Sequence, residues 1–273
     1  MESQRVRAPA GAPRAALGAA GGGRFEVTSC PWPQAMESAL AAGRKQPIRQ
    51  CLAIPAYLQQ AYWWAYVDPR AVNFFERDWL VNAILFGNYN RLRDAALAAL
   101  GQPVTGRTLQ VACAYGSLTP TLVSHLSPEA ELEVMDVVPA QLANLAAKLK
   151  ADERVHLVRG DASCITHGNG SFDQALLFFL LHEQPESVRR ATLSEALRVV
   201  KPGGRVVIVD YHRPPVWPPL RPLVSLVFRL LEPFARDFCH QGVEAQLPRH
   251  TPPARVQKTT FFGGLYQMLV ITR

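Results

Sequence analysis

The chain has 273 residues, 48% of them hydrophobic, which suits one large domain with a substantial core and an extension. Its net charge is +7, yet Lys and Arg form no run dense enough to predict nucleic-acid binding. The five cysteines form no C-x-x-C pair, which argues against a zinc ribbon or a disulfide framework and favours a reducing compartment. No apolar run approaches the ~20 residues that a membrane-spanning helix needs.

The N-terminal region, residues 1–50, is predicted to be a tail and linker. Residues 1–24 are mostly Ala, Gly, Pro and Arg without a hydrophobic pattern, so we expect them to be disordered. The stretch 34–50 favours a short, weak helix or a linker. The tail is rich in Arg and poor in acids, as a transit peptide would be, but its single serine and many Gly and Pro argue against that role.

Residues 51–104 are rich in aromatic side chains and are predicted to form a helical cap. Leu92, Ala96 and Ala99 recur at helical spacing. Asp68 followed by Pro69 predicts a helix start with Asp68 as the N-cap. The aromatic residues either pack a core, which is their usual role, or enclose a ligand.

From residue 105 to residue 273, predicted strands and helices alternate. The predicted strands are 107–112, ELEVMD, RVHLVRGDA, FDQALLFFLLHE and RVVIVDYH. Helices are predicted at 117–126, from Pro139, and at 186–199, where KPGG is a stop signal. Continuous apolar strands between amphipathic helices predict an α/β fold with a parallel sheet covered on both faces. RVQKTTF and LYQMLVITR, on either side of Gly263-Gly264, predict a final antiparallel hairpin.

Acidic residues follow two of these strands, at the edge where open α/β sheets bind ligands. Asp136 ends the second strand, 24 residues after Ala112, and is placed to accept hydrogen bonds from ribose hydroxyls. Asp161, after the third strand, is placed to accept from an adenine amino group. The alternatives are a solvated strand-end carboxylate for Asp136 and a helix N-cap for Asp161.

A second polar group follows the fourth and fifth strands. It consists of His182, Glu183, Asp210, Tyr211 and His212. Imidazole and carboxylate ligands suit a hard divalent metal, so His182, Glu183, Asp210 and His212 are candidate ligands. Alternatively, His182, Glu183, Tyr211 and His212 position a substrate or move protons. His212 is also compatible with a buried core position.

The strand order, "GDA", "KPGG" and the closing hairpin resemble those of class I methyltransferases that use S-adenosylmethionine (SAM), above all the ubiquinone/menaquinone group over residues 105–273. Three segments resemble the rhodoquinone biosynthesis family, RquA, over residues 50–273: "YLQQAYWWAYVDPRAVNFFERDWLVNAILFGNYNRLRD", "VACAYG" and "DYHRPP". The resemblance implies a Rossmann-like fold with a mostly parallel seven-stranded sheet, a C-terminal antiparallel hairpin and an N-terminal helical cap. Residues 105–273 would then be the SAM-binding domain.

The resemblance also implies an activity. That family is understood to convert ubiquinone to rhodoquinone by replacing a ring methoxy group with an amino group, with SAM as amino donor and a manganese ion. The implied SAM-binding residues are Gln110, Ala112, Cys113, Ala114, Tyr115, Gly116, Asp136, Asp161 and Ala162. The implied quinone-binding residues are Tyr57, Tyr62, Trp63, Phe86 and Tyr89.

The loop after the first strand departs from the usual methyltransferase pattern of one acid and three glycines. Gln110 stands at the position of the acid, and Ala112 and Ala114 replace two glycines, leaving Gly116. A neutral Gln110 removes the usual partner of the SAM amine, which favours amination over methyl transfer. Two alternatives stay open: a conventional methyltransferase acting on a quinone or lipid, and an inactive quinone-binding scaffold within a quinone-biosynthesis complex.

The apolar tail of ubiquinone requires a route to the bilayer. Segment 217–238 is amphipathic, with leucines beside arginines, so we expect it to make peripheral contact with membrane lipid. We therefore expect a cytoplasmic protein associated with the inner membrane, or a mitochondrial one if the tail acts as a transit peptide.

Overall fold

The computed structural model describes residues 53–213, 233–248 and 252–273. The predictions made for residues 1–50 and for most of segment 217–238 therefore lie outside the described residues. Within the described ranges, no helix combines the length and the hydropathy needed to cross a bilayer.

The centre of the molecule is a seven-stranded sheet in the order β3-β2-β1-β4-β5-β7-β6. Its strands are β1 (Arg107–Val111), β2 (Glu131–Asp136), β3 (Val155–Arg159), β4 (Phe172–Phe178), β5 (Val200–Tyr211), β6 (Arg255–Phe261) and β7 (Tyr266–Thr272). The first five strands are parallel, and β7 is antiparallel to both of its neighbours. The predicted class I methyltransferase fold, with its parallel sheet and closing hairpin, is confirmed.

Helices precede the sheet and connect its strands. They are α1 (Ala56–Ala61), α2 (Pro69–Phe75), α3 (Asp78–Ile84), α4 (Tyr89–Leu100), α5 (Leu118–Ser124), α6 (Pro139–Lys148), α7 (Glu186–Val199) and α8 (Ala235–Gln241). A π-helical turn, Trp63–Val67, joins α1 to α2. Asp68 caps α2 as predicted, because its Oδ1 accepts from the Arg70 amide at 2.9 Å. The periodicity of α4 is also confirmed, since Leu92 and Ala96 are fully buried.

The core lies on both faces of the central strands. Three successive residues of β4 (Ala175–Leu177) and four of β5 (Val206–Val209) are at most 1% exposed, so both faces of these strands are covered. In contrast, six of the seven residues of β6 are exposed, and this strand forms one edge of the sheet. The apolar runs in the sequence therefore mark the middle of the sheet.

The KPGG segment ends α7 but also begins β5, whereas the sequence predicted that the strand starts at Arg205. Val200 already pairs with Phe172, and the register shifts before Gln174 pairs with Arg205. Gly204 is required in this irregular stretch because a Cβ there would lie 2.4 Å from the Asp173 carbonyl oxygen. The predicted start of the strand was therefore too late.

The segment formed by residues 56–84, called the cap here, packs over one side of the sheet's carboxyl edge. Tyr57, Leu58 and Tyr62 form a buried cluster with Val138 and Val188. The cluster joins α1 to the start of α6 and to α7. The cap thus lies above the edge where the parallel strands end, which is the usual ligand-binding edge of this architecture.

Candidate active site

A cavity of about 560 Å³ lies between the cap and the carboxyl ends of the strands. This volume falls within the range of small-molecule sites. One wall follows β1, β2 and β3 and includes Ala112, Cys113, Ala114, Tyr115, Asp136, Val137, Gly160, Asp161 and Ala162. The other wall is largely aromatic and includes Tyr57, Tyr62, Tyr66, Phe75, Phe86, Tyr89, Phe178, Phe179, His182 and Tyr211. A single cavity therefore connects the predicted cofactor residues to the predicted substrate residues.

Gln110 supports the loop after β1 from behind and does not line the cavity. Its side chain is fully buried; Oε1 accepts from the Thr119 hydroxyl at 2.9 Å and Nε2 donates to the Ala112 carbonyl at 3.1 Å. Both ends of the amide are thus used within the protein. The predicted contact of Gln110 with a cofactor is replaced by an internal role that fixes Ala112.

The cap holds the other end of this loop. The Tyr115 hydroxyl donates to the Ala65 carbonyl at 2.5 Å, and its ring stacks on Tyr66 with centroids 5.7 Å apart. The Gly116 amide donates to Glu76 Oε1 at 3.0 Å, and Gly116 does not line the cavity. Glu76 also accepts from Lys148 Nζ at 2.6 Å. The loop and the cap are therefore joined by several polar contacts.

Asp136 is the buried carboxylate at the centre of the cofactor wall. Its Oδ2 accepts from the Cys113 amide and its Oδ1 from the Val138 amide, both at 2.8 Å. Burial raises the pKa of Asp136 to about 6, and these backbone hydrogen bonds oppose the shift. Asp136 also has hydrogen bonds with the Cys113 thiol and the Val137 amide, and it lines the cavity, where a ligand hydroxyl such as those of ribose can approach it.

Asp161 fixes a turn and does not cap a helix, because no helix lies between β3 and β4. Its Oδ1 accepts from the Ser163 amide at 2.8 Å and from the Ser163 hydroxyl at 2.7 Å, which fixes the turn after β3. The same residue lines the cavity with its neighbours Gly160 and Ala162. The described contacts of Asp161 with Ser163 use Oδ1, so the predicted contact with a purine amine stays a prediction.

His182 and Asp210 form a buried pair at the ends of β4 and β5. Nδ1 of His182 lies 2.8 Å from Asp210 Oδ1, and Asp210 is fully buried. Asp210 also accepts backbone hydrogen bonds, so it acts as a carboxylate and His182 Nδ1 is the donor. This arrangement fixes the imidazole and leaves Nε2 as its basic nitrogen.

Glu183 connects this pair to the cap. Its Oε1 lies 3.8 Å from His182 Nε2 and accepts a hydrogen bond from the Tyr66 hydroxyl. Tyr66 belongs to the π-helical turn, a type of irregularity that is frequent at functional sites. The cap therefore contributes a polar group to the acid–base cluster, and the sequence analysis did not assign it that role.

The four predicted metal ligands do not form a metal site. Asp210 accepts from the amides of Leu181, His182 and Tyr211 as well as from the His182 ring, which uses up its lone pairs. Within the described ranges, no three His, Cys, Asp or Glu side chains come together in a way that could hold an ion. The structure therefore gives no support to the prediction that His182, Glu183, Asp210 and His212 bind manganese.

His212 lies apart from the other polar residues. It does not line the cavity, and its backbone amide donates to the Leu265 carbonyl at 2.7 Å. Burial, together with the positive charges of Lys258 and Arg213, lowers the pKa of His212 to about 4. This environment disfavours a cation beside His212 and gives no support to its predicted catalytic role.

Four of the five aromatic residues predicted to contact substrate, Tyr57, Tyr62, Phe86 and Tyr89, line the cavity. Trp63 does not, and it is 53% exposed. The sequence analysis also missed several cavity residues, because their roles depend on distant parts of the chain. They are Tyr66, Gln141, Phe179 and Gln184.

Strained backbone is concentrated around the cavity. Phe86 (φ 50°), Ala112 (φ 69°) and Phe179 (φ 53°) adopt the left-handed conformation that favours glycine, and all three line the cavity. Each such residue costs about 1–3 kcal/mol and persists only where its surroundings enforce it. Strain of this kind typically accompanies a functional site.

Residues 108–204 match the sequence model of a family described as "Methyltransferase domain". This segment contains the loop after β1, both cofactor-wall acids and the His182–Glu183 turn. The chain is a relative of the class I methyltransferases.

Two demethylmenaquinone methyltransferases are similar to this chain in sequence. It is 26% identical to the demethylmenaquinone methyltransferase of Bacillus licheniformis over 166 residues, which cover 59% of this chain and 70% of that protein. It is 30% identical to the demethylmenaquinone methyltransferase of Staphylococcus aureus over 156 residues, which cover 57% of this chain and 64% of that protein.

Solved methyltransferase structures share the fold. Human N-acetylserotonin methyltransferase, solved in complex with SAM, superposes with a TM-score of 0.56 at 16% identity, covering 88% of this chain and 66% of that one. The mitomycin 7-O-methyltransferase gives a TM-score of 0.55 at 18% identity, covering 76% and 58%. At these identities the similarity establishes the class I fold alone.

Proposed function

We propose that this protein is a SAM-dependent methyltransferase whose acceptor is an apolar ring of the quinone class. The observation that carries the proposal is one cavity lined both by Asp136 and Asp161 and by many aromatic side chains. The relatives named demethylmenaquinone methyltransferases support the same acceptor class.

The cofactor wall fits the nucleoside part of SAM. Asp136 presents a buried carboxylate for the ribose, and Asp161 lies further along the wall, where it is available to a purine amine. Cys113 beside them stays a neutral thiol, because burial and then the charge of Asp136 raise the pKa of Cys113. When bound, SAM supplies an electrophilic methyl group.

The His182–Asp210 pair supplies the base. An acceptor hydroxyl, as in a hydroquinone, becomes a stronger nucleophile when it loses its proton, and His182 Nε2 is the atom placed to receive that proton. Asp210 keeps Nδ1 protonated and stabilises the imidazolium that forms. Glu183, 3.8 Å from Nε2, adds a second negative charge that favours the same state.

The aromatic wall suits a flat apolar ring. His182 lies edge-on to Tyr211 with centroids 4.7 Å apart, and Phe179 packs against Tyr211 at 5.4 Å. Edge and face contacts of this kind favour aromatic ligands. The base His182 therefore lies beside aromatic side chains against which a quinone ring can pack.

A second candidate function, favoured by the buried Gln110, is the amination of ubiquinone to rhodoquinone with SAM as amino donor. Gln110 has no carboxylate, and both ends of its amide are paired internally. The ammonium group of SAM therefore finds no partner in this side chain. An amine without that partner is more readily deprotonated, and a neutral amine is a nucleophile. The resemblance of the cap sequence to the rhodoquinone biosynthesis family points to the same reaction.

One labelling experiment separates the two functions. The purified protein receives SAM carrying carbon-13 in its methyl group and nitrogen-15 in its α-amine, together with a short-tailed ubiquinone or its hydroquinone. Mass spectrometry of the ring product then shows which label has been transferred. Methyl transfer delivers carbon-13 alone, and amination delivers nitrogen-15 alone.

The variant His182→Gln tests the base in the same assay. Its amide can still donate to Asp210, but it cannot accept a proton at neutral pH, so turnover should fall by roughly 10²–10⁴-fold. His167→Gln is the matched control, because His167 pairs with Glu133 at 3.2 Å and does not line the cavity. If protein that binds SAM returns the quinone unchanged and unlabelled, both functions would be overturned and a scaffold would be favoured.

A further inference from the structure

Gln184 presents a buried amide in the wall of the cavity. The residue is 2% exposed and lines the cavity directly after the His182–Glu183 turn. Within the described part of the chain, its Oε1 has no hydrogen-bond partner. A buried acceptor without a donor costs roughly 1–3 kcal/mol, so a ligand that supplies the donor would be favoured.

The backbone of Gln184 is held in place from behind. Its amide donates to the Leu181 carbonyl at 3.2 Å, and its carbonyl accepts from Arg189 Nη2 at 2.8 Å. Arg189 is itself fully buried and packs over the Phe238 ring at 5.0 Å. The backbone of Gln184 is therefore fixed by contacts away from the cavity, which limits where its side chain can reach.

The surroundings of Gln184 are rich in acceptors. Burial raises the pKa of Tyr57, and a hydrogen bond with the Gln184 side chain opposes that shift. Among the nearby charges, Asp161 acts on Tyr57 more strongly than Glu183 does. Gln184, Asp161 and Glu183 all line the cavity, and the Gln184 Oε1 acceptor lacks a donor among the described residues.

We propose that Gln184 Oε1 accepts a hydrogen bond from an N–H or O–H group of a ligand bound in the cavity. The inference rests on the proposed function, which places two such donors there: the purine amine of SAM and the ring hydroxyl of a reduced acceptor. Both donors are tested below, and the purine amine is tested first.

The test uses Gln184→Met, which keeps the side-chain length and removes the acceptor. Calorimetry measures the binding of S-adenosylhomocysteine and of an analogue with hydrogen in place of the purine amine. If Gln184 accepts from the amine, the variant should bind S-adenosylhomocysteine about five- to tenfold more weakly than the wild type. Both proteins should bind the analogue equally, because the donor is absent from it.

Two further variants separate this contact from damage to the fold. Gln184→Glu keeps an acceptor at the same position and should bind S-adenosylhomocysteine more tightly than Gln184→Met does. Gln267→Met is the matched control, because Gln267 is 1% exposed, does not line the cavity and also has an Oε1 without a partner among the described residues. Its affinity for S-adenosylhomocysteine should equal that of the wild type.

A parallel titration with a short-tailed hydroquinone identifies the other source of the donor. Weaker hydroquinone binding by Gln184→Met, with unchanged S-adenosylhomocysteine binding, would assign the contact to the acceptor. Equal affinities of wild type and variant for both ligands would overturn the inference while leaving the proposed function intact. Failure of the wild type to bind S-adenosylhomocysteine would instead overturn the proposed function and the purine contact. The hydroquinone titration would then show whether Gln184 contacts the acceptor hydroxyl.

Discussion

At the scale of single residues, the environment of Asp136 predicts how cofactor binding depends on pH. The carboxylate is buried and held by two backbone amides, and its pKa is raised to about 6. Ribose hydroxyls donate more strongly to the ionised form than to the protonated one. Affinity for SAM should therefore be highest above pH 7 and should fall as Asp136 gains a proton.

With the pKa of Asp136 at about 6, the ionised fraction drops to about a tenth at pH 5, so affinity for S-adenosylhomocysteine should fall about tenfold between pH 8 and pH 5. Asp136→Asn should weaken binding at pH 8 by about 1.5–3 kcal/mol and should remove most of this pH dependence. Calorimetry at both pH values measures these effects. Asp152→Asn is the control, because Asp152 pairs with Arg154 at the protein surface. A variant with the affinity of the wild type at pH 8 would exclude the ribose contact.

At the scale of secondary-structure elements, the most informative contact is the one that Glu76 makes between the cap, the loop after β1 and α6. Glu76 accepts from the Gly116 amide at 3.0 Å, and from Asn144 Nδ2 and Lys148 Nζ at 2.6 Å each. The side chains of Glu76 and Lys148 are 17% and 19% exposed, so solvent screens their ion pair less than it would a surface pair. These contacts hold the cap against the loop after β1.

Glu76→Ala should release the cap and destabilise the protein by about 1.5–3 kcal/mol, the range for hydrogen bonds to a charged group. Because the cap covers the cavity, S-adenosylhomocysteine should also dissociate several times faster, which stopped-flow fluorescence can measure. Glu186→Ala is the matched control, since the Glu186–Arg190 pair on α7 is about half exposed and should contribute little. An unchanged dissociation rate in a destabilised Glu76→Ala protein would show that this contact stabilises the fold without gating the site.

At the scale of the whole molecule, the site exists only where two parts of the chain meet. Tyr66 in the cap donates to Glu183 after β4, although 117 residues separate them in sequence. The cofactor wall comes from the sheet and much of the aromatic wall from the cap. The cavity and its acid–base cluster therefore depend on the packing of the whole fold.

The net charge of +7 and the proposed apolar acceptor also predict an association with membranes. We propose that segment 217–238, most of which lies outside the described residues, binds anionic vesicles reversibly and that salt weakens the binding. Vesicle flotation measures this, and a variant with Leu226, Arg229 and Leu230 all changed to Ser should stay in the bottom fraction. Equal flotation of the variant and the wild type would remove the segment from the membrane contact.

The sequence by itself determined the order of the strands, the closing hairpin and the strand-end positions of Asp136, Asp161 and His182. Hydrophobic periodicity reports which faces of each element are covered, and parallel strands bring their carboxyl ends to one edge. Local signals such as Asp68 before Pro69 were equally reliable, because a cap depends only on adjacent residues. These features follow from local chemistry and from the rules of sheet topology.

The tertiary structure alone decided how the polar groups are used. Imidazole and carboxylate side chains at two strand ends predicted a metal site, but the lone pairs of Asp210 are used by four donors from the protein itself. Gln110, expected at the ligand, turned inward to Thr119. Tyr66 and Gln184 line the cavity because distant segments pack together, and no local sequence pattern predicts this. The physical reason is that each donor and acceptor has limited capacity, and packing between distant segments determines which partner it takes.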